Sequence, residues 1–420
     1  MQEFNYRDNE LVCEGTSLND VAERFGTPLY VYSKQSIVDH CNHIERAFGG
    51  QDHLTCYAAK ANNNPALMRV IAGEGLGADV VSRGELHLAL KAGFPTDRIT
   101  YSSVGKRDDE IVYALENNIL AFNVESFEEL DVLSRIAVAS GKTARILLRV
   151  NLDIEAGGHS HISTGTMEHK FGIEWRKAAE ALRRAGSMPM IEVRGIHSHI
   201  GSQITKAETF MKAAEALVAL VQQLRRDGID IKDLDFGGGF GVQYRGYVQH
   251  PFLPDEALEE LNLSAATLVR TVLPILRESG CRLSIQPGRS IIAHAGVLLV
   301  KVLYRKETGH KVFIVVDGGM NDLIRPSLYN AYHQIVPLTL QESPVETVDV
   351  VGPLCESGDF FALDRKMSRV QRGDYLALMC AGAYGYVLSS NYNARPRPAE
   401  VLIDGATMTV VRERELIEEL

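Results

Sequence analysis

Short apolar runs alternate with amphipathic segments between residues 28 and 285 of the chain. Runs such as 54–60 (LTCYAAK) and 144–151 (ARILLRVN) are dominated by apolar, β-branched and aromatic residues, which predicts buried strands. The stretch 207–228 instead repeats apolar residues at helical spacing. Further strands are predicted at 28–33, 77–82, 98–103, 120–126, 193–201, 233–241 and 282–290.

Strands that alternate with helices over about 250 residues are typical of a parallel (β/α)8 barrel, the TIM-like α/β fold. An open, doubly wound sheet is the alternative for the same pattern. The number of predicted strands and the absence of an early Gly-x-Gly-x-x-Gly sequence favour the barrel.

The pattern changes after about residue 290, where apolar strand-like runs follow one another with little helix between them. This is typical of an antiparallel β domain, of sandwich or barrel form, and the stretch 11–18 adds a strand to it. We therefore predict three parts: an N-terminal segment, 1–27, that contributes to the β domain; the barrel, 28–285; and the C-terminal β domain, 286–420.

The composition agrees with more than one ordinary globular domain. The chain has 420 residues, of which 45% are hydrophobic and 23% charged. Its net charge of −10 argues against a general binder of nucleic acid or of anionic membranes. No apolar run approaches the length of a membrane span, and the first ten residues contain no apolar core of a signal peptide, so we expect neither.

The six cysteines form no Cys-x-x-Cys pair, which predicts reduced thiols in a cytoplasmic protein. Two histidine pairs, His159 with His161 and His197 with His199, lie in separate segments. No nearby cysteine or carboxylate completes a ligand set around either pair, so we expect no metal site.

Lys60 is the one charged residue of the stretch 56–65, CYAAKANNNP. It can mark the end of a strand, with its ammonium group in water, or it can be a reactive amine at the mouth of a site. Chemistry in a (β/α)8 barrel collects at the carboxyl ends of the strands, where Lys60 is predicted to lie. The residues Asp79 and Glu85 belong to the same predicted rim, with a structural and a functional role equally open.

Other candidate groups follow other predicted strands. His197 and His199 are two apart, so both point to one face of a strand, and Ser202 follows them in a loop. The run of glycines at 237–239 and the turn Gly288–Arg289 expose backbone N–H groups that suit a phosphate. Each signal is weak alone, but a lysine, a histidine, a serine and two glycine turns together suggest a pyridoxal-phosphate site.

Seven short motifs occur in an order that resembles the fold-type III pyridoxal-phosphate decarboxylases, and among these the diaminopimelate decarboxylases. They are YAAKAN, HSHIGSQ, DFGGGFG, PGRS, GGMNDLIRPSLY, GPLCESGD and AGAYG, and HSHISTGTMEHKFGI (159–173) belongs to the same resemblance. The resemblance covers nearly the whole chain, from 25–33 to 391–405. It implies decarboxylation of meso-2,6-diaminopimelate to L-lysine and CO2, the last step of lysine biosynthesis.

The resemblance also implies how the cofactor, pyridoxal 5′-phosphate, is bound. Lys60 would bind it covalently, and His199 would stack on its ring. The phosphate would be held by Ser202, by the backbone of Gly237, Gly238 and Gly239, by the turn Gly288–Arg289 and by Tyr384.

The substrate residues follow in the same way. The distal carboxylate of the substrate would be bound by Arg289, Arg325 and Tyr329. Tyr384 would be a further substrate contact. Glu356 would read the distal ammonium group, and Cys355 would supply a proton after CO2 leaves. The family brings Cys355 and Glu356 from the partner subunit, so the resemblance implies a homodimer with shared sites.

Gln286 departs from the family pattern, in which a glutamate at this position pairs with the pyridine nitrogen. Glutamine offers no counter-charge, which predicts a weaker electron sink at this position. Two other functions stay open at this point: a decarboxylase of ornithine, lysine, arginine or carboxynorspermidine on the same fold, and a catalytically inactive regulator. The sequence CES after Leu354 and the pair Arg325–Tyr329 favour diaminopimelate, and retention of Lys60 and Cys355 argues against a regulator.

Overall fold

The computed structural model describes residues 3–154, 170–250 and 263–420. His159 and His161 lie outside these residues. The chain forms two compact units. The barrel unit comprises Cys41–Val242 and Asn262–Ser290, and the β unit comprises Met1–His40, Gln243–Leu261 and Ile291–Leu420.

The strands alternate with helices as far as residue 285 and dominate the chain beyond it. In chain order they are β1 Phe4–Arg7, β2 Glu10–Cys13, β3 Thr16–Ser17, β4 Leu29–Ser33, β5 His53–Ala58, β6 Gly77–Val80, β7 Ile99–Tyr101, β8 Ala121–Val124, β9 Ala144–Asn151, β10 Ile173–Glu174, β11 Ile191–His197, β12 Asp233–Asp235, β13 Arg282–Ile285, β14 Gly296–Glu307, β15 Val312–Val316, β16 Ile335–Pro337, β17 Val345–Val351, β18 Phe360–Ser368, β19 Tyr375–Leu378, β20 Ala399–Asp404 and β21 Thr407–Arg412.

Helices of both units connect these strands, and those of the barrel unit follow its strands in the chain. The helices are α1 Leu18–Phe25, α2 Lys34–Ala47, α3 Pro65–Gly73, α4 Arg83–Ala92, α5 Asp108–Glu116, α6 Phe127–Ser140, α7 Ala178–Ser187, α8 Ala207–Arg226, α9 Ala265–Arg277, α10 Arg289–Ile292 and α11 Arg325–Tyr329. Across the described ranges, none of them combines the length and the apolar character that a membrane span needs.

Eight parallel strands of the barrel unit close on themselves. Their order is β5, β6, β7, β8, β9, β11, β12 and β13, and β13 pairs with β5 to close the ring. The short strand β10 adds to β9. The predicted (β/α)8 barrel is therefore confirmed, and the open doubly wound alternative is wrong because an open sheet has no closing pair.

Local sequence signals set the ends of the barrel helices. Helix α4 begins after Ser82, whose side chain accepts the N–H of Glu85, and it ends at Gly93 in the left-handed conformation. Helix α6 is bounded in the same way by Ser126 and Gly141. These are the caps that satisfy the free N–H and C=O groups at helix ends.

One predicted barrel strand belongs to the other unit. The segment 28–33 was expected to open the barrel, but β4 pairs with β14 and β20 in the sheet of the β unit. All five residues of β4 are buried. A short, fully buried strand looks the same in a barrel and in a mixed sheet, so hydrophobic periodicity could not separate the two.

The sheet of the β unit has the order β18, β17, β15, β14, β4, β20 and β21, with β19 pairing to β14 and β16 to β19. Most pairings are antiparallel, as predicted, but β15–β17 and β20–β4 are parallel. The stretch 11–18 was expected to join this sheet. It lies in the β unit, but its strand β2 forms a separate three-stranded sheet with β1 and β3.

Candidate active site

Lys60 lies directly after the carboxyl end of strand β5, in a short 3₁₀ turn, Ala59–Ala61. Both flanking alanines are fully buried, whereas Lys60 itself is partly exposed. The strand end is fixed because the N–H of Ala58 donates to the carbonyl of Pro287 (3.0 Å). The lysine is therefore at the mouth of the barrel, on a rigid base.

The asparagines after Lys60 build the turn that leads into helix α3. The N–H of Asn64 donates to Oδ1 of Asn62 (3.0 Å), and Oδ1 of Asn64 accepts the N–H of Ala66 (2.9 Å). Pro65 occupies the first helical position, where its missing N–H and fixed φ are favourable. The polar residues at 62–64 thus serve the chain reversal without adding charge near Lys60.

The charge of Lys60 acts on four buried groups of the barrel unit, which are Asp79, Glu85, His197 and His199. Burial raises the pKa of Asp79, and Lys60 is the largest influence that opposes this rise. Burial lowers the pKa of His197 and of His199, and Lys60 lowers both further. Both histidines are therefore neutral at neutral pH, which suits a ring that packs against a flat heteroaromatic ligand.

His199 is oriented by the glycine run. The N–H of Gly238 donates to Nδ1 of His199 (3.1 Å), so in the neutral ring the proton lies on Nε2. A Cβ atom at Gly238 would lie 2.2 Å from the carbonyl oxygen of Gln286. The glycine therefore permits the close approach that fixes the histidine.

The run 237–239 is packed against the loop that follows β11. Gly237 has φ +72° and Gly239 has φ +95°, and a Cβ atom on either would meet a backbone oxygen of 198–201 at 2.4 Å or less. The N–H groups of Gly237 and Gly238 serve this packing by donating to Asp235 and His199. Within the described ranges the N–H of Gly239 has no protein acceptor, which makes it the amide of the three best suited to a phosphate.

Ser202 and Arg289 meet in the barrel unit. An Nη2 donor of Arg289 bonds to Oγ of Ser202 (3.0 Å), and the arginine is only 7% exposed. Gly288 lets this turn pack against the segment that carries Lys60, because a Cβ there would lie 3.0 Å from the Cβ of Ala61 and 3.1 Å from that of Ala58. A buried guanidinium, a hydroxyl and a close-packed glycine turn suit a phosphate group.

Gln286 makes a contact that its sequence did not predict. Its Nε2 donates to Oδ2 of Asp235 (2.8 Å), while the N–H of Gly237 donates to Oδ1 of the same carboxyl group (2.8 Å). Burial raises the pKa of Asp235 to about 7. Neither ring nitrogen of His197 has a hydrogen-bond partner among the described residues. The pKa of His197 is lowered overall, and the nearby side chain of Gln286 opposes that lowering.

Sequence reasoning missed a buried ion pair beside these groups. Arg149, near the end of β9, bonds to Glu125 (2.7 Å), and both side chains are almost fully buried. Arg149 also lowers the pKa of His197 and His199. An arginine inside an otherwise apolar predicted strand was the available signal, since a buried charge requires a partner.

The two acidic residues expected at the rim are buried. Asp79 accepts hydrogen bonds from Thr100 (3.1 Å) and Ser102 (2.6 Å) at the carboxyl ends of neighbouring strands. Glu85 accepts the N–H of Val81 (2.9 Å), and burial raises the pKa of Glu85 to about 7. Both stay open to a functional role, since perturbed carboxyl groups are common at sites.

In the β unit, Arg325 and Tyr329 begin and end the short helix α11. Arg325 is 6% exposed. Its Nη1 lies 2.8 Å from Nε2 of His333, and its guanidinium lies over the ring of Tyr244, 4.7 Å from the centroid.

Cys355 and Glu356 lie on an exposed loop of the β unit. Cys355 is exposed, whereas the other five cysteines are buried, and all six are free thiols. Asp359 holds the loop by accepting the N–H groups of Leu354 (2.7 Å) and Met320 (2.6 Å).

Tyr384 adopts a strained backbone conformation, with φ +55°. The adjacent glycines allow it, because a Cβ at Gly382 or Gly385 would lie 2.0 Å or 2.5 Å from a backbone oxygen. A non-glycine residue held at positive φ in a close-packed turn is often a functional residue.

The barrel residues fit pyridoxal phosphate by their chemistry. Lys60 offers an amine, neutral His199 offers a ring, and Arg289 with Ser202 offers an anion site bordered by glycines whose Cβ atoms would clash. By contrast, no group of three or more potential metal ligands occurs among the described residues.

Comparison with known proteins adds the family. Residues 34–293 match the model of the pyridoxal-dependent decarboxylase, pyridoxal binding domain. The diaminopimelate decarboxylases of Aquifex aeolicus and Pseudomonas aeruginosa are each 46% identical, over 99% and 100% of this chain and 96% and 98% of theirs. The crystal structure of diaminopimelate decarboxylase from Helicobacter pylori complexed with L-lysine matches with a TM-score of 0.89 and 38% identity, over 96% of this chain and 98% of that one. The chain belongs to the pyridoxal-dependent decarboxylase family and, within it, to the diaminopimelate decarboxylases.

Proposed function

We propose that this protein is a pyridoxal-phosphate-dependent lyase that decarboxylates meso-2,6-diaminopimelate to L-lysine and CO2. The observation that supports this most is the position of Lys60 directly after the carboxyl end of β5. Its charge helps to lower the pKa of the neutral His199. Relatives named diaminopimelate decarboxylase match nearly the whole chain, and one of them was solved in complex with L-lysine, which supports the substrate and the product.

Each barrel residue has a defined task in this proposal. Lys60 binds the cofactor covalently, neutral His199 packs on its ring without adding a charge, and Arg289 with Ser202 binds its phosphate. When bound, pyridoxal phosphate supplies the electron sink for the carbanion that loss of CO2 leaves. The protein supplies orientation and excludes water.

The β unit supplies recognition of the far end of the substrate. Arg325 and Tyr329 bind the distal carboxylate, Arg289 from the barrel unit adds a further donor to it beside its role at the phosphate, and Glu356 binds the distal ammonium group. A buried guanidinium strongly rejects substrates that lack the carboxylate, because its charge would be left without a counter-ion. Tyr384 contacts the substrate and the phosphate, and the thiol of Cys355 delivers the proton that replaces CO2.

We also propose a homodimer, which the positions of Cys355 and Glu356 support. Both are exposed on their own chain. An exposed thiol has no site to serve unless another surface covers it, so we assign both residues to the site of the partner subunit. The six free thiols agree with a reducing compartment, and we assign the enzyme to the cytoplasm.

The test is an assay of purified protein with pyridoxal phosphate and meso-diaminopimelate, L-lysine, L-ornithine, L-arginine or carboxynorspermidine. We expect CO2 and L-lysine in equal amounts from diaminopimelate, and turnover of the other four at least about a hundredfold slower, since a buried arginine would lose its counter-ion. Faster release of CO2 from any of the other four would refute the substrate. Lys60→Ala should abolish turnover, and full activity in that variant would refute the site.

A further inference from the structure

We propose that His333 is a positioning residue that fixes the guanidinium of Arg325 for the distal carboxylate of the substrate. This inference rests on the proposed function and deepens it, because it adds a residue that determines specificity through another. His333 is fully buried in the β unit, four positions after the end of the helix that starts at Arg325.

The hydrogen bonds of His333 determine its tautomer. Nε2 lies 2.8 Å from Nη1 of Arg325, and Nδ1 lies 2.8 Å from the carbonyl oxygen of Met379. A guanidinium only donates and a carbonyl only accepts. His333 therefore accepts at Nε2 and donates from Nδ1, which requires the neutral ring with its proton on Nδ1.

Tyr244 completes the support of both residues. Its ring lies under the guanidinium of Arg325 (4.7 Å), and it meets the ring of His333 at an interplanar angle of 77° with centroids 5.3 Å apart. Arg325 is thus held at one edge by a hydrogen bond and on one face by an aromatic ring. Arg365 donates to the backbone oxygen of His333 (2.9 Å), so the main chain of the histidine is held as well.

A neutral acceptor is what an anion-binding arginine requires. A carboxylate at position 333 would also fix the guanidinium, but it would neutralise the charge that the substrate needs. Histidine and tyrosine orient the arginine and leave its charge in place. A side chain that is already ordered loses less conformational entropy when the ligand binds, so the gain appears in affinity.

Two matched substitutions separate the acceptor from the rest of the ring. In His333→Gln, the amide oxygen can take the place of Nε2 and accept from Arg325. In His333→Asn, the shorter amide can still donate to Met379, but the acceptor for Arg325 is lost. We expect His333→Asn to raise KM for meso-diaminopimelate about tenfold or more, with kcat within about twofold, and His333→Gln to stay within about threefold of wild type.

Cofactor content and circular dichroism will show whether each variant folds. If His333→Asn does not fold, Tyr244→Leu tests the same support and should raise KM about threefold or more with kcat little changed, because it removes the aromatic face. An active enzyme whose KM is unchanged by His333→Asn, or equally impaired by Asn and Gln, would overturn the role of His333 alone. A folded Tyr244→Leu variant with unchanged KM would overturn it when Asn gives no folded protein.

A measurement without substrate keeps the two proposals distinguishable. The melting temperatures of wild type, His333→Asn, Arg325→Gln and the double variant form a thermodynamic cycle. We expect the double variant to lose clearly less than the sum of the two single losses, because the residues share one bond. Additive losses would overturn the inference, whereas wild-type protein without diaminopimelate turnover would overturn the proposed function and, with it, the substrate role of His333.

Discussion

At the scale of single residues, Gln286 shows what the sequence could and could not predict. The sequence predicted Lys60, His199, Ser202 and Arg289 as site residues because each follows a strand, where barrel sites lie. It could not predict that the amide of Gln286 donates to Asp235, because that contact joins two strands through their side chains. A carboxyl group is therefore present one side chain further away, with its pKa raised to about 7, so the loss of the usual glutamate does not leave the region without an acidic residue.

This contact changes the expected result of Gln286→Glu. The new carboxyl group would face the buried Asp235, and two carboxyl groups at hydrogen-bond distance cannot both be ionised. The pair then has a pKa raised in the folded state, so its contribution to stability is complete below about pH 4 and is lost as the pH rises through about 7. We expect the melting temperature of Gln286→Glu to fall relative to wild type between pH 5 and pH 8.

The control is the exchanged pair Gln286→Glu with Asp235→Asn. This double variant restores one amide donor and one carboxylate acceptor, so it should recover most of the melting temperature and return its dependence on pH to that of wild type. A double variant less stable than Gln286→Glu would show that the bond between the two side chains does not govern the effect.

At the scale of elements, hydrophobic periodicity predicted the barrel strands but misassigned β4. The eight barrel strands combine buried faces with helices that follow them, which is a pattern that the sequence shows directly. Strand β4 has the same apolar character and is also followed by a helix, but its partners are β14 and β20, more than 250 residues away. Such long-range pairing leaves no local signal, so the sequence could not reveal it.

The glycine run is the element whose geometry is most demanding. Gly237→Ala should abolish retention of pyridoxal phosphate and lower the melting temperature strongly, since the new Cβ would lie 2.2 Å from the oxygen of Ser198. Gly228→Ala is the matched control, because Gly228 has a similar φ of +79° but open space around it. That variant should lose only about 1 kcal/mol of stability and keep the cofactor. Equal behaviour of the two variants would mean that close packing at 237 is not required.

At the scale of the whole molecule, the exposed loop at Cys355 predicts that one chain is not a complete enzyme. Lys60→Ala and Cys355→Ala proteins should each be almost inactive. After subunit exchange, the mixture should regain about a quarter of wild-type activity, because random pairing makes half of the dimers mixed and each mixed dimer has one intact site. The measurement is CO2 release before and after exchange, with exchange verified by differently tagged subunits. An inactive mixture of exchanged subunits would assign both residues to the same chain.

The central claim is that Lys60 is the reactive amine at the mouth of the barrel, and covalent labelling tests it most directly. Protein loaded with pyridoxal phosphate is reduced with borohydride, which makes the bond between the cofactor and its lysine permanent, and is then digested and mapped by mass spectrometry. We expect the peptide that contains Lys60 to carry the added mass of the reduced cofactor. The corresponding peptide of the Lys60→Ala variant should carry no label. Stoichiometric label on any other lysine, or unmodified Lys60 in protein that is fully loaded and catalytically active, would contradict it.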